Sequence, residues 1–221
     1  MSRPQKSADK GSQYQLQRLV NDPSDPLGNE LKRLISLETD EIITWVSPLA
    51  SEGYVEYRDT AFLRKLGLRP ADLSVPLAAF WPASGPRWDA LAHTNKRRFI
   101  LVEGKSHAPE MKSACTAVSP KSLAKIQRAL EQTRAYCGAS ASDWSTNFYQ
   151  YGNRLAHLYW LSQLNGVNAH LVFIYFVNDK SMREPTSIEA WRAEIDHVHS
   201  QLGLSSPPMP GYVHDLFVDV P

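Results

Sequence analysis

Two apolar segments joined by a short basic turn carry charged residues at positions where a strand would be expected to carry hydrophobic ones. The segments are 87–93 (RWDALAH) and 99–105 (FILVEGK), and residues 94–98 (TNKRR) connect them. Their apolar character and the short connection predict the two strands of a β-hairpin. Successive side chains of a strand point to opposite faces, so Glu103 and Lys105 share one face of this hairpin.

The centre of the turn sets which residues of the hairpin lie opposite each other. With Lys96 at the centre, Leu91 faces Leu101 and Asp89 faces Glu103. A shift of two residues would keep these faces, whereas a shift of one residue would reverse them. Asp89 and Glu103 are then cross-strand neighbours, with Cβ atoms roughly 4.5–5.5 Å apart. Because the two leucines lie on the same face, that face is partly buried, and buried acids need partners.

Two carboxylates at this distance repel each other, and a divalent cation removes the conflict. Mg²⁺ takes oxygen ligands from one or two carboxylates and leaves its other positions to water and phosphate. Lys105 follows one step along the same face, where its ammonium group could hold a hydroxide or a phosphate oxygen. The alternative is a structural role, in which the acids lie on a solvated face and Lys105 forms a salt bridge with Asp89 or Glu103.

The pattern of Asp89 followed by Glu103-Gly104-Lys105 at the end of an apolar strand resembles the D…(D/E)xK signature of the restriction-endonuclease-like, or PD-(D/E)XK, nuclease superfamily. The resemblance covers roughly residues 50–180. It implies that Asp89 and Glu103 bind Mg²⁺ or Mn²⁺ and that the backbone carbonyl of Gly104 completes the metal shell. It also implies that Lys105 assists the attacking water.

A third acid from a preceding helix often joins the site in this superfamily. Residues 54–66 (YVEYRDTAFLRKL) predict a helix before the hairpin, and Glu56 is our candidate for that acid. Glu52 and Asp59 are the alternatives, and a solvated helix face would explain any of the three. One departure from the signature is Trp88, which stands before the first acid where the superfamily name has a proline.

The length and composition of the chain set the class of protein. With 221 residues, 43% of them hydrophobic and 21% charged, we expect one globular domain over residues 26–221. The polar residues 1–25 predict a flexible N-terminal arm. No segment reaches the ~20 consecutive apolar residues of a membrane span, and the polar N-terminal residues lack the apolar region of a secretion signal. We therefore expect a cytoplasmic protein that does not bind membranes.

Further helices and strands are predicted on both sides of the hairpin. Beside 54–66, helical spacing and end signals predict helices over residues 29–37, 119–136, 147–164 and 187–202. β-branched and apolar runs predict strands over residues 42–46, 169–177 and 213–220. The 169–177 strand is apolar on both faces, as the central strands of α/β sheets are. This order predicts an α/β fold, a three-layer α/β/α sandwich with a mixed central sheet and a restriction-endonuclease-like core.

Two polar stripes are candidates for substrate contacts. In the predicted helix 147–164, amide and basic side chains recur at helical spacing and contain no Lys or Glu, the usual solvent-facing residues. Gln150 and Arg154 are our candidates beside the metal. In the helix before it, Lys121, Lys125 and Arg128 share a face, and Lys121 and Lys125 are candidates for phosphate contacts. A solvated helix face is the alternative for both stripes.

These observations predict a Mg²⁺- or Mn²⁺-dependent nuclease that hydrolyses phosphodiester bonds, with DNA the expected substrate. The net charge of +1 argues against a protein that coats nucleic acid by bulk charge. One alternative is a catalytically inactive module with the same fold, which binds nucleic acid or a protein partner. Another is an interaction scaffold that uses the aromatic helix 147–164. The oligomeric state stays open, with a homodimer among the alternatives.

Overall fold

The computed structural model describes residues 5–182 and 186–220. Over these residues the chain has an α/β fold, in which a five-stranded mixed sheet is combined with seven α-helices. The strands are β1 (Ile43–Ser47), β2 (Ala90–Thr94), β3 (Phe99–Lys105), β4 (Ala169–Val177) and β5 (Val213–Asp219). The helices are α1 (Gly11–Val20), α2 (Pro26–Leu34), α3 (Asp59–Lys65), α4 (Leu77–Phe80), α5 (Pro120–Tyr136), α6 (Tyr149–Tyr159) and α7 (Ile188–Gln201).

The strands lie in the sheet in the same order as in the chain. β1, β2 and β3 pair antiparallel, whereas β4 is parallel to β3 and β5 is parallel to β4. This change of direction follows from the connections, since a short turn joins antiparallel strands and a helical crossover joins parallel ones. The crossover from β3 to β4 contains α5 and α6, and the crossover from β4 to β5 contains α7.

Side chains of the central strands are buried on both faces of the sheet. Along β4, Phe173 and Tyr175 pack with side chains of α3, α5, α6 and α7, whereas Ile174 and Phe176 pack with side chains of α1 and α2. Every residue of β4 is buried, as its two-sided apolar sequence predicts. Helices therefore cover both faces of the sheet.

The hairpin has the register that the sequence predicts. Leu91 pairs with Leu101 in the antiparallel ladder of β2 and β3. β2 begins at Ala90, so Asp89 lies one residue before the strand rather than inside it. One further step along the ladder brings Asp89 to the position opposite Glu103.

The predicted flexible arm over residues 1–25 is wrong for residues 11–20, which form α1. Leu16 and Leu19 of this helix are buried in the core between the sheet and α2. Polar residues surround the few apolar ones in this segment, so the sequence does not make evident the apolar stripe through which α1 packs on the sheet. Residues 1–4 lie outside the described residues, and the single domain over 26–221 stays a prediction.

The predicted helix over residues 54–66 is wrong for residues 54–58. Tyr54 has a φ of 55°, which interrupts a helix at its start. The carbonyls that a helix would use have other partners, because Val55 accepts from the Ser47 hydroxyl and Tyr57 accepts from the Trp88 amide at 3.0 Å. Glu56 consequently lies on an extended segment beside the hairpin and not on α3.

The other predicted elements are present with small shifts of their ends. The expected helix 29–37 is α2, which begins earlier because the Asp25 side chain accepts a hydrogen bond from the Gly28 amide in its first turn. The aromatic helix is α6, and a π-helical turn continues it to Leu164. None of the helices in the described residues has the length and apolar content needed to cross a membrane.

Gly104 lets α1 approach the strand that carries the candidate site. A Cβ atom on this residue would lie 2.8 Å from Cδ1 of Leu16 and 3.5 Å from the ring of Phe176. Gly104 faces the side of the sheet opposite Glu103, and its lack of a side chain permits this close helix packing. We expect Gly104→Ala to lower the free energy of unfolding by about 1–3 kcal/mol, measured by urea denaturation.

The clash has a matched control in the helix itself. Leu16→Ala removes the atom that would meet the new methyl group, so the loss in the Gly104→Ala/Leu16→Ala double variant should be smaller than the sum of the two single losses. Strictly additive losses would show that the two residues do not compete for the same space.

Candidate active site

The end of β3 and the start of β2 bring the two acids of the motif together. Gly104 donates a backbone hydrogen bond to Oδ2 of Asp89 at 2.9 Å. This bond links the residue before β2 to the penultimate residue of β3. The Asp89 carboxylate therefore lies beside Glu103, as the hairpin register predicts.

Glu103 is a buried carboxylate that is paired with two cations. Its side chain is 2% exposed; Lys105 Nζ donates to Oε1 at 2.7 Å and Arg154 Nε donates to Oε2 at 2.6 Å. Burial by itself would raise the pKa of Glu103, but the charges and hydrogen bonds of Arg154 and Lys105 outweigh it and lower that pKa. Glu103 is therefore ionised at neutral pH.

The guanidinium group of Arg154 is held from several sides. Beside its bond to Glu103, it donates to the Arg87 carbonyl at 2.8 Å and to the Asn153 side-chain oxygen at 2.9 Å. It also lies 4.9 Å from the centre of the Trp88 ring, within the range of a cation–π contact. With five donors in a rigid plane, arginine suits such a site better than lysine does.

Lys105 connects Glu103 to α6. Its ammonium group donates to the Gln150 side-chain oxygen at 3.0 Å as well as to Glu103. The backbone N–H of Gln150 in turn donates a hydrogen bond to the Ser113 hydroxyl at 2.8 Å, and this bond anchors the start of α6. Lys105 is thus oriented by one charged and one neutral partner.

Asp89 lies in an environment that disfavours its charge. Burial and then the nearby charge of Glu103 raise the pKa of Asp89 well above its ordinary value, and Lys105 opposes them only in part. The residue keeps some exposure to solvent, but its carboxyl group is surrounded by protein atoms. Two acids in one site therefore have opposite shifts, one held ionised and one pushed towards its neutral form.

Glu56 joins the same site, although it is not on a helix. Tyr57 and Trp88 form an antiparallel bridge, and the next step of that bridge brings Glu56 opposite Asp89. The charge of Glu56 contributes to the raised pKa of Asp89. Gln13 of α1 donates to Glu56 Oε1 at 3.0 Å. Three neighbouring extended segments therefore each supply one acid.

The two alternatives to Glu56 have other partners. Glu52 forms a salt bridge with Lys65 and accepts a hydrogen bond from the Tyr57 hydroxyl at 2.7 Å. Asp59 accepts from the Gly85 amide at 2.9 Å and so supports the loop before the hairpin. Of the three acids that the sequence left open, Glu56 is the one that faces Asp89.

A cavity of about 720 Å³ opens over these groups. Asp89, Glu56, Gln150 and Arg154 are among its lining residues, and Glu103 and Lys105 lie behind them. One wall is the 81–87 loop and the other is the 113–119 segment. We name this cavity the catalytic cleft after the candidate catalytic residues Asp89 and Glu56 that line it. Its volume is in the range of pockets that bind small molecules and nucleotides.

The polar stripe of α6 faces the sheet and not the solvent. Asn153, Arg154 and His157 are buried, and Gln150 and Asn153 line the catalytic cleft. The structure therefore brings Gln150 and Arg154 to the site that the sequence suggests for them. His157 lies deeper, with its ring 4.7 Å from that of Trp81, and burial lowers its pKa to about 3.

The basic residues of α5 and of the 94–98 turn are not among the described residues that line the cleft. From α5, the cleft takes Ser122 and Ile126, whereas Lys121 and Lys125 are not among the described residues that line it. The 94–98 turn lies at the opposite end of β3, roughly 20 Å away at the rise of a strand. Its residues Lys96 and Arg98 form salt bridges with acids that precede β1.

Sequence reasoning missed the part that α1 and the 113–119 segment play in the site. Gln13 reaches Glu56, and Ser113 holds the first turn of α6. Neither residue stands in a recognisable motif. The apolar spacing of Leu16 and Leu19 in α1 is the signal that could have predicted a packed helix there.

Comparison of the chain with protein-family models, with curated proteins and with solved structures gives no match. The resemblance to the nuclease superfamily therefore depends on the residues and geometry described above.

The raised pKa of Asp89 predicts a stability change with a defined pH dependence. A carboxyl group with a higher pKa in the folded state takes up protons on folding, so the free energy of unfolding falls as pH rises through that interval. Asp89→Asn removes this loss and keeps an oxygen for the Gly104 amide. In EDTA we expect the variant to be more stable than the wild type at pH 7, with the difference shrinking below about pH 4.

Urea denaturation at both pH values measures this difference. Asp72→Asn is a matched control, because Asp72 is exposed and paired only with exposed Arg69. If Asp89→Asn is less stable than the wild type at pH 7, the raised pKa assigned to Asp89 is contradicted.

Proposed function

We propose that the protein is a Mg²⁺- or Mn²⁺-dependent phosphodiester hydrolase that acts on nucleic acid, with DNA as the first substrate to test. One observation carries this proposal: Asp89, Glu103 and Lys105 meet at the end of β3, beside a cleft with room for a nucleotide. A buried, charged cluster that opens on a cavity is more typical of a functional site than of a structural core.

The order of elements supports a restriction-endonuclease-like core. An antiparallel hairpin carries the acids, a helical crossover follows, and a parallel strand, β4, lies beside β3. α6, which belongs to this crossover, contributes Gln150 and Arg154 to the site. This is the arrangement that the D…(D/E)xK resemblance implies.

The donor atoms fit a hard cation. Asp89 and Glu103 supply carboxylate oxygens and Gly104 supplies a backbone carbonyl, which are the ligand types that Mg²⁺ and Mn²⁺ take in proteins. Among the described residues, no set of three or more His, Cys, Asp or Glu side chains is close enough to hold a metal. The metal shell would therefore combine two acids with the Gly104 carbonyl, water and phosphate. A bound cation would offset phosphate charge and make a water more acidic.

The side chains of the chain itself have separate parts in this proposal. Lys105 donates towards Glu103 and Gln150, and its ammonium group can stabilise negative charge at the phosphate or orient the attacking water. Gln150 fixes the direction of that ammonium group. A cation bound to the Asp89 oxygens would lower the pKa of this carboxyl group and favour its ionised form, because an opposite charge stabilises the carboxylate.

A specific contact also favours a second function, an inactive module that binds nucleic acid. Both carboxylate oxygens of Glu103 already accept hydrogen bonds from cationic groups, one from Lys105 and one from Arg154. A metal must displace or share one of these contacts. If it does not, Arg154 permanently replaces the cation and the site binds without turnover.

Hydrolysis of DNA tests the enzymatic proposal directly. We expect plasmid or single-stranded DNA to be cleaved with Mg²⁺ or Mn²⁺, and cleavage to fall at least about 100-fold in Asp89→Asn and Lys105→Ala. Labelled RNA is the parallel substrate. Glu30→Gln on α2, an exposed acid on the other side of the sheet, is the matched control. Equal cleavage by wild type, Asp89→Asn and Lys105→Ala would end the proposal.

Metal binding without turnover separates the two functions. If the wild type binds Mn²⁺, its melting temperature should rise with Mn²⁺ concentration, and that rise should be absent in Asp89→Asn. Arg154→Met removes the competitor for Glu103, so calorimetry should give about ten-fold tighter Mn²⁺ binding. Binding by Arg154→Met alone would favour the inactive module, whereas no binding by either protein would exclude the metal site.

A further inference from the structure

A second groove lies next to the catalytic cleft and has a different character. It has a volume of about 640 Å³ and is lined by aromatic and basic side chains. We call it the aromatic groove. Its lining residues include Phe80, Lys125, Arg128, Tyr136 and Tyr159.

The charges of the aromatic groove are of one sign. Its lining contains Lys125 and Arg128 and no carboxylate among the described residues. Lys125 bonds to the Ala78 carbonyl at 2.7 Å, which holds its ammonium group at the rim next to α4. In a chain with a net charge of only +1, this local excess of positive charge favours an anionic occupant.

An exposed aromatic ring lies beside these cations. Tyr136 is 50% exposed, although the ring of Tyr159 packs 5.1 Å from it. The buried ring of Phe80 lies 6.4 Å from that of Tyr159, so Tyr136 is the exposed end of an aromatic cluster that runs from α4 to the end of α5. One face of such a ring is free to stack on a planar group, as bases stack on aromatic side chains in proteins that bind single strands.

The aromatic groove adjoins the catalytic cleft across a thin wall. Phe80 lines the groove and the next residue, Trp81, lines the cleft. On α5, Lys125 lines the groove and Ile126 lines the cleft. The two cavities are therefore neighbours at α4 and at the first half of α5.

We propose that the aromatic groove binds a single strand of nucleic acid that extends from the catalytic cleft. A base stacks on Tyr136, and Lys125 and Arg128 contact the phosphates beside it. A duplex is not suited to this surface, because its bases are stacked on each other and have no free face for the ring. This inference rests on the proposed function for the identity of the ligand, but it concerns binding and not hydrolysis.

Fluorescence anisotropy of a labelled dT12 oligonucleotide in EDTA measures this binding without turnover. We expect Tyr136→Ala to weaken binding about ten-fold and Tyr136→Phe, which keeps the ring, to bind within about two-fold of the wild type. Arg128→Ala should weaken binding and reduce the slope of log affinity against log salt by about one. A 12-base-pair duplex should bind more weakly than the single strand.

Matched controls are Tyr212→Ala and Arg33→Ala. Tyr212 is 37% exposed and lies before β5, where it stacks on His170, and Arg33 lies on α2. Both variants should bind the oligonucleotide like the wild type. Absence of binding by the wild type, or unchanged binding by Tyr136→Ala and Arg128→Ala, would overturn the inference.

The same protein samples test two other ligands for the aromatic groove, an acidic polymer and a second copy of the chain. Equal displacement of the oligonucleotide by poly-L-glutamate, with no effect of Tyr136→Ala, would identify a general anion surface. A dimer in sedimentation velocity that Tyr136→Ala dissociates would identify a second copy of the chain. Either result overturns the inference.

The failure of this inference and that of the proposed function give different results. Asp89→Asn should lose cleavage and keep oligonucleotide binding in EDTA. If the groove variants change neither cleavage nor oligonucleotide binding, the binding role of the aromatic groove is rejected and the proposed hydrolase is not. Groove-dependent binding without any cleavage rejects the hydrolase alone.

Discussion

The buried charge of Glu103 is the constraint on which the rest of this site depends. A carboxylate with 2% exposure is tolerated only when its charge is balanced and its oxygens accept hydrogen bonds. Lys105 supplies one partner from the same strand, and Arg154 supplies the other from α6. The ion pairs therefore link the central sheet to the helix that covers it and fix how the two elements face each other.

This requirement explains the unusual composition of α6. A helix that packs on a sheet normally presents hydrophobic residues, but here the buried face also carries Asn153 and Arg154. Each has a partner, since Arg154 bonds to Glu103, to the Arg87 carbonyl and to Asn153. The polar network is satisfied on the side of Glu103, and the unfavourable charge is concentrated in Asp89, which lines the catalytic cleft.

The opposite face of β3 is as closely packed as the site face. Gly104 has no side chain, so Leu16 of α1 packs directly over the strand between Glu103 and Lys105. The strand is therefore held from both sides at the position where the acids must be placed. Gln13, also on α1, reaches around to Glu56, so the helix supports the site through packing and through a hydrogen bond.

The sequence alone predicts the hairpin register, the two-sided burial of β4 and the presence of an acid pair with a neighbouring lysine. These features depend on strand periodicity and a short turn, which are local properties. It also pointed to Gln150 and Arg154, because a helix stripe without Lys or Glu is unusual on a solvated face.

Which partner each charged group takes depends on contacts between segments that are distant in the chain. Arg154 lies far from Glu103 in the chain, and their ion pair exists because α6 packs on β3. The extended path of residues 54–58 depends on a backbone bond to Trp88, which propensity in a single segment does not reveal. Helix α1 is ordered by the apolar surface that the sheet offers to Leu16, a long-range contact that its polar sequence hides.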